Sequence, residues 1–296
     1  MFLDIRSLAL FARVAELRSI SKAADASHIA LAAASRRIAL LEHAFGVRFL
    51  ERTVRGSSLT PAGGVALKHA RQILGQVDQM RAELGEYANG RSGRVRLMAN
   101  ASVISQYLPD DLARFAKIAN GVRVSFQECT SGEITQALRD FATDVGIVME
   151  GVSHDGLMKF DYRSDRLVAI VRRDSPVRGR SVSFLSLLDH DLVGLEASTS
   201  ITRLLSEKAT DAQRHLRLGV QVKSFDALCK MVAAGLGVGI LPEGVARPYA
   251  AGVKLRVVPL SDTWATRRMY VCVRDLETLP TISRKLVDFL VAIGKK

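Results

Sequence analysis

From residue 94 onward, short apolar runs alternate with amphipathic stretches, and this alternation constrains the fold more than any other feature of the chain. VRLMA (95–99), VRVSF (122–126) and VGIVM (145–149) are separated by helix-period patterns, one reading Leu108, Leu112 and Phe115, the other GEITQALRDF (132–141). The unit then repeats: LVAIVRR (167–173), a helix at 184–188, DLVGL (191–195), a helix at 199–209, LGVQV (218–222), a helix at 225–234, VGILP (238–242) and LRVVPL (255–260). Alternation of this kind puts parallel strands between layers of helices. The expectation is two similar α/β lobes, with a last strand MYVCV (269–273) and a closing helix (281–293) returning to the first.

The first sixty residues read differently. Residues 5–15 place Ile5, Leu8, Phe11, Ala12 and Ala15 on one helical stripe, with Asp4 available as a cap. SISKAADASHIALAAASRRIALLE (19–42) joins two alanine-rich helices through a break at Ser27-His28-Ile29. Ala23 and Ala24 let the backbones approach, as a helix-turn-helix requires. In the second helix Ala34, Ile38 and Leu41 face inward, which leaves Ala32, Ala33, Arg36 and Arg37 outward. Small residues followed by arginine suit a helix laid in the DNA major groove, where a guanidinium takes phosphate or the O6/N7 edge of guanine. A surface helix with two solvated arginines has the same pattern, so the neighbouring segments must decide. FLERTVRGSSLTPAG (49–63) reads as a hairpin with a polar tip at 52–58 that carries Arg52 and Arg55. Such a wing touches backbone phosphates. Thr60-Pro61 then supplies a cap and a first helical residue for a helix reaching residue 89, roughly 40 Å long. Its stripe of Val65, Ala66, Ile73, Val77, Met80 and Leu84 is thin for that length and calls for a partner helix. Residues 89–93, Asn-Gly-Arg-Ser-Gly, read as a hinge.

The net charge of +12 favours anionic partners, and it is densest at the start: residues 1–60 hold nine Lys and Arg against five Asp and Glu. Cys129, Cys229 and Cys272 are far apart and indicate neither a disulfide framework nor a metal site. Six scattered histidines show no metal spacing, and no Gly-x-Ser-x-Gly or HExxH sequence occurs. Gly235-Leu236-Gly237-Val238-Gly239 follows a helix and enters a strand, the reverse of a dinucleotide loop, so Gly235 reads as a helix C-cap. No catalytic residue, metal or cofactor is expected. The opening residues MFLDIR lack an export-signal pattern, and no uncharged apolar run reaches the ~18 residues of a membrane span. A cytoplasmic protein without a membrane partner is expected.

Phe11, Ala15-Glu16, Ser19-Ile20, Ala23-Ala24, Ser35-Arg36, Ile38, Leu41-Glu42, Gly46-Val47, Phe49, Arg52-Thr53 and Leu59-Thr60-Pro61-Ala62-Gly63 together resemble the N-terminus of LysR-type transcriptional regulators. AAGLGVGILP (233–242) extends the resemblance, which covers the whole chain in length and layout. The resemblance implies an α/β protein with an N-terminal all-α winged helix-turn-helix (1–60), a dimerising linker helix and hinge (61–92), and an effector domain (93–296) of two lobes. That domain has the shape of a type II periplasmic binding protein, with lobe 1 at about 93–162 and 267–296 and lobe 2 at about 163–266. It further implies a homodimer or homotetramer on partly palindromic double-stranded DNA, with Ser35, Arg36, Arg37, Arg52 and Arg55 toward the duplex. A small molecule between the lobes would alter those contacts. The chain departs from the family where the recognition helix usually opens Ser-Gln-Pro: here it reads Ala30-Leu31-Ala32. A capping hydroxyl worth about 1 kcal/mol is lost, together with a glutamine able to reach DNA.

An effector site can also be argued from the residues themselves. Small polar groups stand at several strand-to-helix junctions: Asn100 and Ser102, Thr130 and Ser131, Ser198 to Ser200, and Ser224 with Asp226. Helix N-termini favour anions, and ligands of open α/β sheets bind beyond the carboxyl ends of the strands. A small carboxylate or similar anion is therefore expected, although each residue alone reads equally well as a helix cap. The resemblance points to Ser102, Thr130, Ser198 and Thr199, with Phe225 as an apolar wall, and Asn100 completes the candidate set. A solute-binding protein of the same architecture would carry an export signal and no helix-turn-helix. An α/β enzyme would need a nucleophile–base pair or cofactor loop, and none stands out.

Overall fold

The computed structural model describes residues 4–53, 56–89, 93–119, 121–252 and 255–294. Contacts divide the chain into two compact units, Met1–Gly90 with Arg139–Ala142, and Arg91–Leu138 with Thr143–Lys296.

In the first unit, α1 (Ile5–Leu17), α2 (Ile20–Ala26) and α3 (Leu31–Phe45) precede a hairpin of β1 (Leu50–Thr53) and β2 (Gly56–Leu59), and α4 (Pro61–Asn89) follows. Asp4 caps α1 by accepting from the Arg6 N–H, and Ser19 caps α2 through the Lys22 N–H. The core joins Leu8, Leu10, Phe11 and Val14 of α1 to Ala23, Ala24, Ala34, Ile38, Leu41 and Phe49. The buried face of α1 is wider than the expected stripe, because α1 packs on α2, α3 and α4 together. Leu10 and Val14 are buried as a result, while Ile5 is 44% exposed. The Phe11 ring is fully buried, 5.2 Å from that of Phe49. The start of α4 is fixed by hydrogen bonds: the Thr60 hydroxyl donates to the Arg48 carbonyl (2.7 Å) and accepts from the Gly63 N–H (2.9 Å). A Cβ on Gly63 would stand 2.0 Å from the Phe49 carbonyl oxygen, so this approach requires glycine. One Glu42 carboxylate oxygen accepts from the N–H groups of Phe49 (2.7 Å) and Leu50 (2.9 Å), tying α3 to the hairpin.

The second unit runs β3 (Arg94–Ala99), α5 (Ala101–Gln106), α6 (Leu108–Ile118), β4 (Arg123–Glu128), α7 (Ser131–Arg139), β5 (Val145–Met149), β6 (Met158–Arg172), α8 (Phe184–Leu187), β7 (Leu192–Leu195), α9 (Ser200–Asp211), β8 (Leu218–Val222), α10 (Phe225–Ala233), β9 (Val238–Pro242), α11 (Glu243–Gly252), β10 (Leu255–Pro259), a 3-10 turn (Thr263–Ala265), β11 (Thr266–Val273) and α12 (Thr281–Gly294). The strand order is β4-β3-β5-β11-β6-β9-β7-β8, with β10 also on β6. Each lobe has a parallel heart: β3 with β4 and β5 in one, β7 with β8 and β9 in the other. The sheet is mixed rather than purely parallel, because β11 runs antiparallel to β5 and β6, and β6 antiparallel to β9 and β10.

β6 is the long element joining the lobes. Residues 158–166 pair with β11, and residues 167–172 pair with β9 and β10. The apolar run at 167–173 is only the second half of this strand. Lys159, Asp161, Arg163, Asp165 and Arg166 interrupt any apolar run in the first half, and Asp165 is nevertheless buried in an ion pair with Arg267. The helix read at Leu108, Leu112 and Phe115 is α6, with Pro109 in its first turn; the short α5, which has Tyr107 as its C-cap, is an additional element. Helix α11 went unread, since Pro248 lies inside it. After α10 the chain closes with a Schellman turn: Gly235 N–H bonds to Val232 and Leu236 N–H to Met231, with Gly235 at φ +89°. The cap residue itself is Ala234, and Gly235 supplies the left-handed residue just beyond it. No described helix is long and apolar enough to cross a membrane.

Candidate DNA-binding face and effector cleft

Helix α3 buries Ala34, Ile38 and Leu41 and turns its other residues outward. Ala30 to Ala33 and Arg36 are exposed; Ser35 and Arg37 are half-buried. Asp4 has its carboxyl held below the usual range, chiefly by the Arg6 backbone N–H, with a smaller share from the Arg37 charge. No side chain caps α3: Ala30 stands at the N-cap and makes no side-chain bond. The first-turn N–H groups therefore keep their donor capacity, at a helix end equivalent to about half a positive charge. In the wing, Arg52 faces Ser57 across the hairpin register. The side chain of Arg52 and the whole of Arg55 lie outside the described residues.

In the second unit, the junctions β3–α5, β4–α7, β7–α9 and β8–α10 surround a cavity of about 270 Å³. All six candidates, Asn100, Ser102, Thr130, Ser198, Thr199 and Phe225, line it. Proximity does not make them equivalent. Asn100 caps α5 at Val103 N–H and donates to Ser131 (3.3 Å). Thr199 caps α9 at Thr202 N–H and donates to the Glu196 carbonyl (2.9 Å). Thr130 forms a reciprocal capping box with Glu133: its N–H and hydroxyl both donate to one carboxylate oxygen at 2.8 Å, and it accepts from the Glu133 N–H at 3.4 Å. Those two donors from Thr130 hold the Glu133 carboxyl below the usual range. Ser102 is buried, with its hydroxyl 3.4 Å from Nη2 of Arg267. Phe225 is buried and packs into the lobe 2 core. Ser198 is exposed and makes no side-chain hydrogen bond among the described residues.

The cavity also carries charges that sequence reading did not pick out: Glu128, Glu133, Glu196 and Lys223. Glu128 ends β4, Glu196 follows β7 and Lys223 follows β8, so the junction rule used for the small polar residues could have found these three as well. Lys223 stands 3.6 Å from Glu196. Cys129 lines the same cavity, and burial, reinforced by Glu133 and Glu128, pushes its thiol up. That shift lowers the thiolate fraction and with it the reactivity. No metal-holding cluster of His, Cys, Asp and Glu occurs among the described residues.

Comparison with known proteins agrees with this layout. Residues 5–64 match the bacterial regulatory helix-turn-helix protein, lysR family, and residues 88–294 match the LysR substrate binding domain. The chain is 24% identical over 289 residues to the uncharacterized HTH-type transcriptional regulator YbhD of Escherichia coli K12, covering 97% of this chain and 91% of that protein. Its fold is similar to the crystal structure of CbnR, a LysR family transcriptional regulator (TM-score 0.72, 22% identity, 99% of this chain and 100% of that one). CbnR has also been solved in full length with its target DNA (TM-score 0.69, 23% identity, 98% and 100%). The regulatory domain of Synechocystis PCC6803 CcmR, in complex with 2-PG, aligns with 70% of this chain and 99% of that one (TM-score 0.63, 22% identity). With one family match over the helix-turn-helix and another over most of the remaining chain, the protein is a member of the LysR family: a DNA-binding transcriptional regulator with an effector-binding domain, not an enzyme.

Proposed function

We propose that α3 enters the major groove of a partly palindromic promoter site, with Arg36 and Arg37 in the groove, Ser35 beside them, and Arg52 and Arg55 on flanking phosphates. The observation that carries this reading is the outward face of α3: exposed Leu31, Ala32 and Ala33, a cation at Arg36 and an uncapped N-terminus. The exposed apolar residues Val65, Ile73, Met80 and Leu84 support a second role for α4, pairing two chains and so setting the half-site spacing of a dimer or tetramer. A regulator of this kind works beside the chromosome, in the cytoplasm.

We further propose that the cavity between the lobes takes a small molecule whose carboxylate or similar anionic group meets the N-termini of α7 and α9, next to Ser102, Thr130, Ser198 and Thr199. Phe225 provides the apolar wall and Asn100 the floor. Glu128, Glu133 and Glu196 on the lining favour a ligand that also carries a donor or cationic group, because a bare anion would meet them with repulsion. Ligand binding would shift the population between two lobe arrangements and so alter the DNA contacts.

Gel-shift titration on the DNA flanking the protein's own gene, over a range of salt, tests the first proposal. Arg36→Ala and Arg37→Ala are each expected to weaken binding roughly tenfold or more, with a salt slope shallower by about one for a lost phosphate contact. Affinity and slope unchanged in both variants would overturn it. Footprinting with and without small carboxylates tests the second: a changed footprint is expected, and an identical one with every compound would count against it.

A further inference from the structure

One flank of lobe 2 carries positive charge that neither the cleft nor the helix-turn-helix uses. Residues 166–182 and 255–262 hold six arginines (Arg166, Arg172, Arg173, Arg178, Arg180 and Arg256) against two aspartates, Asp174 and Asp262. The fold brings the two segments together. β10 pairs with the second half of β6, which places Leu255 opposite Arg172, and the loop after β6 returns beside β10. Arg256 Nη2 bonds to the Val177 carbonyl, and the Val182 N–H donates to the Pro259 carbonyl at 3.0 Å. At the far end Arg166 donates to the Leu260 carbonyl at 2.8 Å. The arginines thus range along a five-residue strand, a length of roughly 17 Å.

The loop is held in place and its cations are available. Val177 is buried, and the Ser175 N–H bonds to the Arg172 carbonyl. Gly179 stands between Arg178 and Arg180 at φ +106°, a backbone conformation that suits glycine, so the turn displays both neighbours. Arg173, Arg178 and Arg180 are exposed and have no ion pair or side-chain hydrogen bond among the described residues. Neither aspartate offsets them: Asp174 is bonded to Arg172, and Asp262 accepts from the Phe184 N–H at 2.8 Å. A loop already fixed loses little entropy when a partner engages it.

We infer that this flank is a second, sequence-independent DNA contact, in which Arg173, Arg178 and Arg180 bind backbone phosphates. The chain is a DNA-binding regulator, so a duplex held by its helix-turn-helix is tethered to the effector domain at high effective concentration. Each strand of a duplex carries one phosphate per ~3.4 Å of axis, so a row of that length meets several, and a guanidinium takes phosphate through two parallel N–H bonds. The contact stands apart from the assignment of Arg36 and Arg37 to the groove.

Gel-shift titrations over a range of salt compare the full-length wild type with a variant carrying Arg173→Ala, Arg178→Ala and Arg180→Ala, on the promoter duplex and on a scrambled duplex of equal length. The alanine variant is expected to bind both duplexes roughly tenfold more weakly, with salt slopes shallower by about two or more and an unchanged unfolding midpoint. Arg173→Lys, Arg178→Lys and Arg180→Lys together keep the charge and are expected to keep most of the affinity and slope. Wild-type affinity and slope in the alanine variant overturn the inference and leave the flank to an acidic protein or to solvent. A loss confined to the promoter duplex overturns it too, because phosphate contacts carry no sequence.

Discussion

Helix α3 and the helices around the first cavity begin in opposite ways. α5, α7, α9 and α10 start behind Asn100, Thr130, Thr199 and Ser224, and each of these side chains accepts from an N–H of the first turn. α3 starts behind Ala30 with no such bond. Both arrangements face regions proposed to meet a partner, yet the free hydrogen-bonding capacity is distributed differently. At α3 no side chain takes up the first backbone donors, and the neighbouring side chains, Ala30 to Ala33 with Leu31 among them, are apolar. In the cleft the side chains satisfy the helix ends, so the polar atoms that make the region look like a ligand site are already partly occupied.

The largest test of this contrast lies within the cleft. Ser198→Ala removes a hydroxyl with no partner among the described residues and is expected to reduce effector affinity by roughly tenfold with stability unchanged, whereas Thr130→Val removes a cap and costs about 1 kcal/mol of stability. Calorimetric binding and denaturant unfolding on both variants separate the two outcomes; equal losses of affinity with no loss of stability at Thr130 would erase the distinction. Next in size is Ala30→Ser, which supplies α3 with the missing cap. It should stabilise the helix-turn-helix by about 1 kcal/mol and weaken DNA binding roughly two- to fivefold, because the new hydroxyl competes with phosphate for the same N–H groups. Stabilisation with DNA affinity intact would mean that the N-terminus of α3 does not meet the duplex.

The smallest effect concerns pH. The Glu133 carboxyl is held below its usual range by the Thr130 N–H and hydroxyl, so its stabilising contribution is present above the unfolded carboxylate pKa of about 4.3 and is lost as pH falls through the lower folded value. Unfolding midpoints of wild type and Glu133→Gln should thus differ at pH 7 and converge on acidification. A gap that stays constant down to pH 3 would show that the capping box owes nothing to the charge.

Much of the fold was legible because its signals are local. Continuous apolar runs marked β5, β7 and β9, and Thr60-Pro61 marked the start of α4, since each depends on residues within a few positions. The first half of β6 was hidden for the opposite reason. Asp165 is acceptable in a buried strand only because Arg267, 102 positions away, neutralises it. In the cleft, the junction rule gathered six residues that all line one cavity, but nothing local distinguishes Thr130, bonded to Glu133, from Ser198, whose hydroxyl has no described partner.

By itself, the sequence determined most of the element order, the helix-turn-helix with Arg36 outward, and the family, because these follow from periodicity, capping residues and short motifs. Only the tertiary structure decided which polar side chains are satisfied and which remain available: the capping box at Thr130, the buried pair of Arg267 with Asp165, and the exposed arginines ranged beside β10. Hydrogen-bond satisfaction is a property of the assembled neighbourhood, and residues far apart in the chain supply most of that neighbourhood.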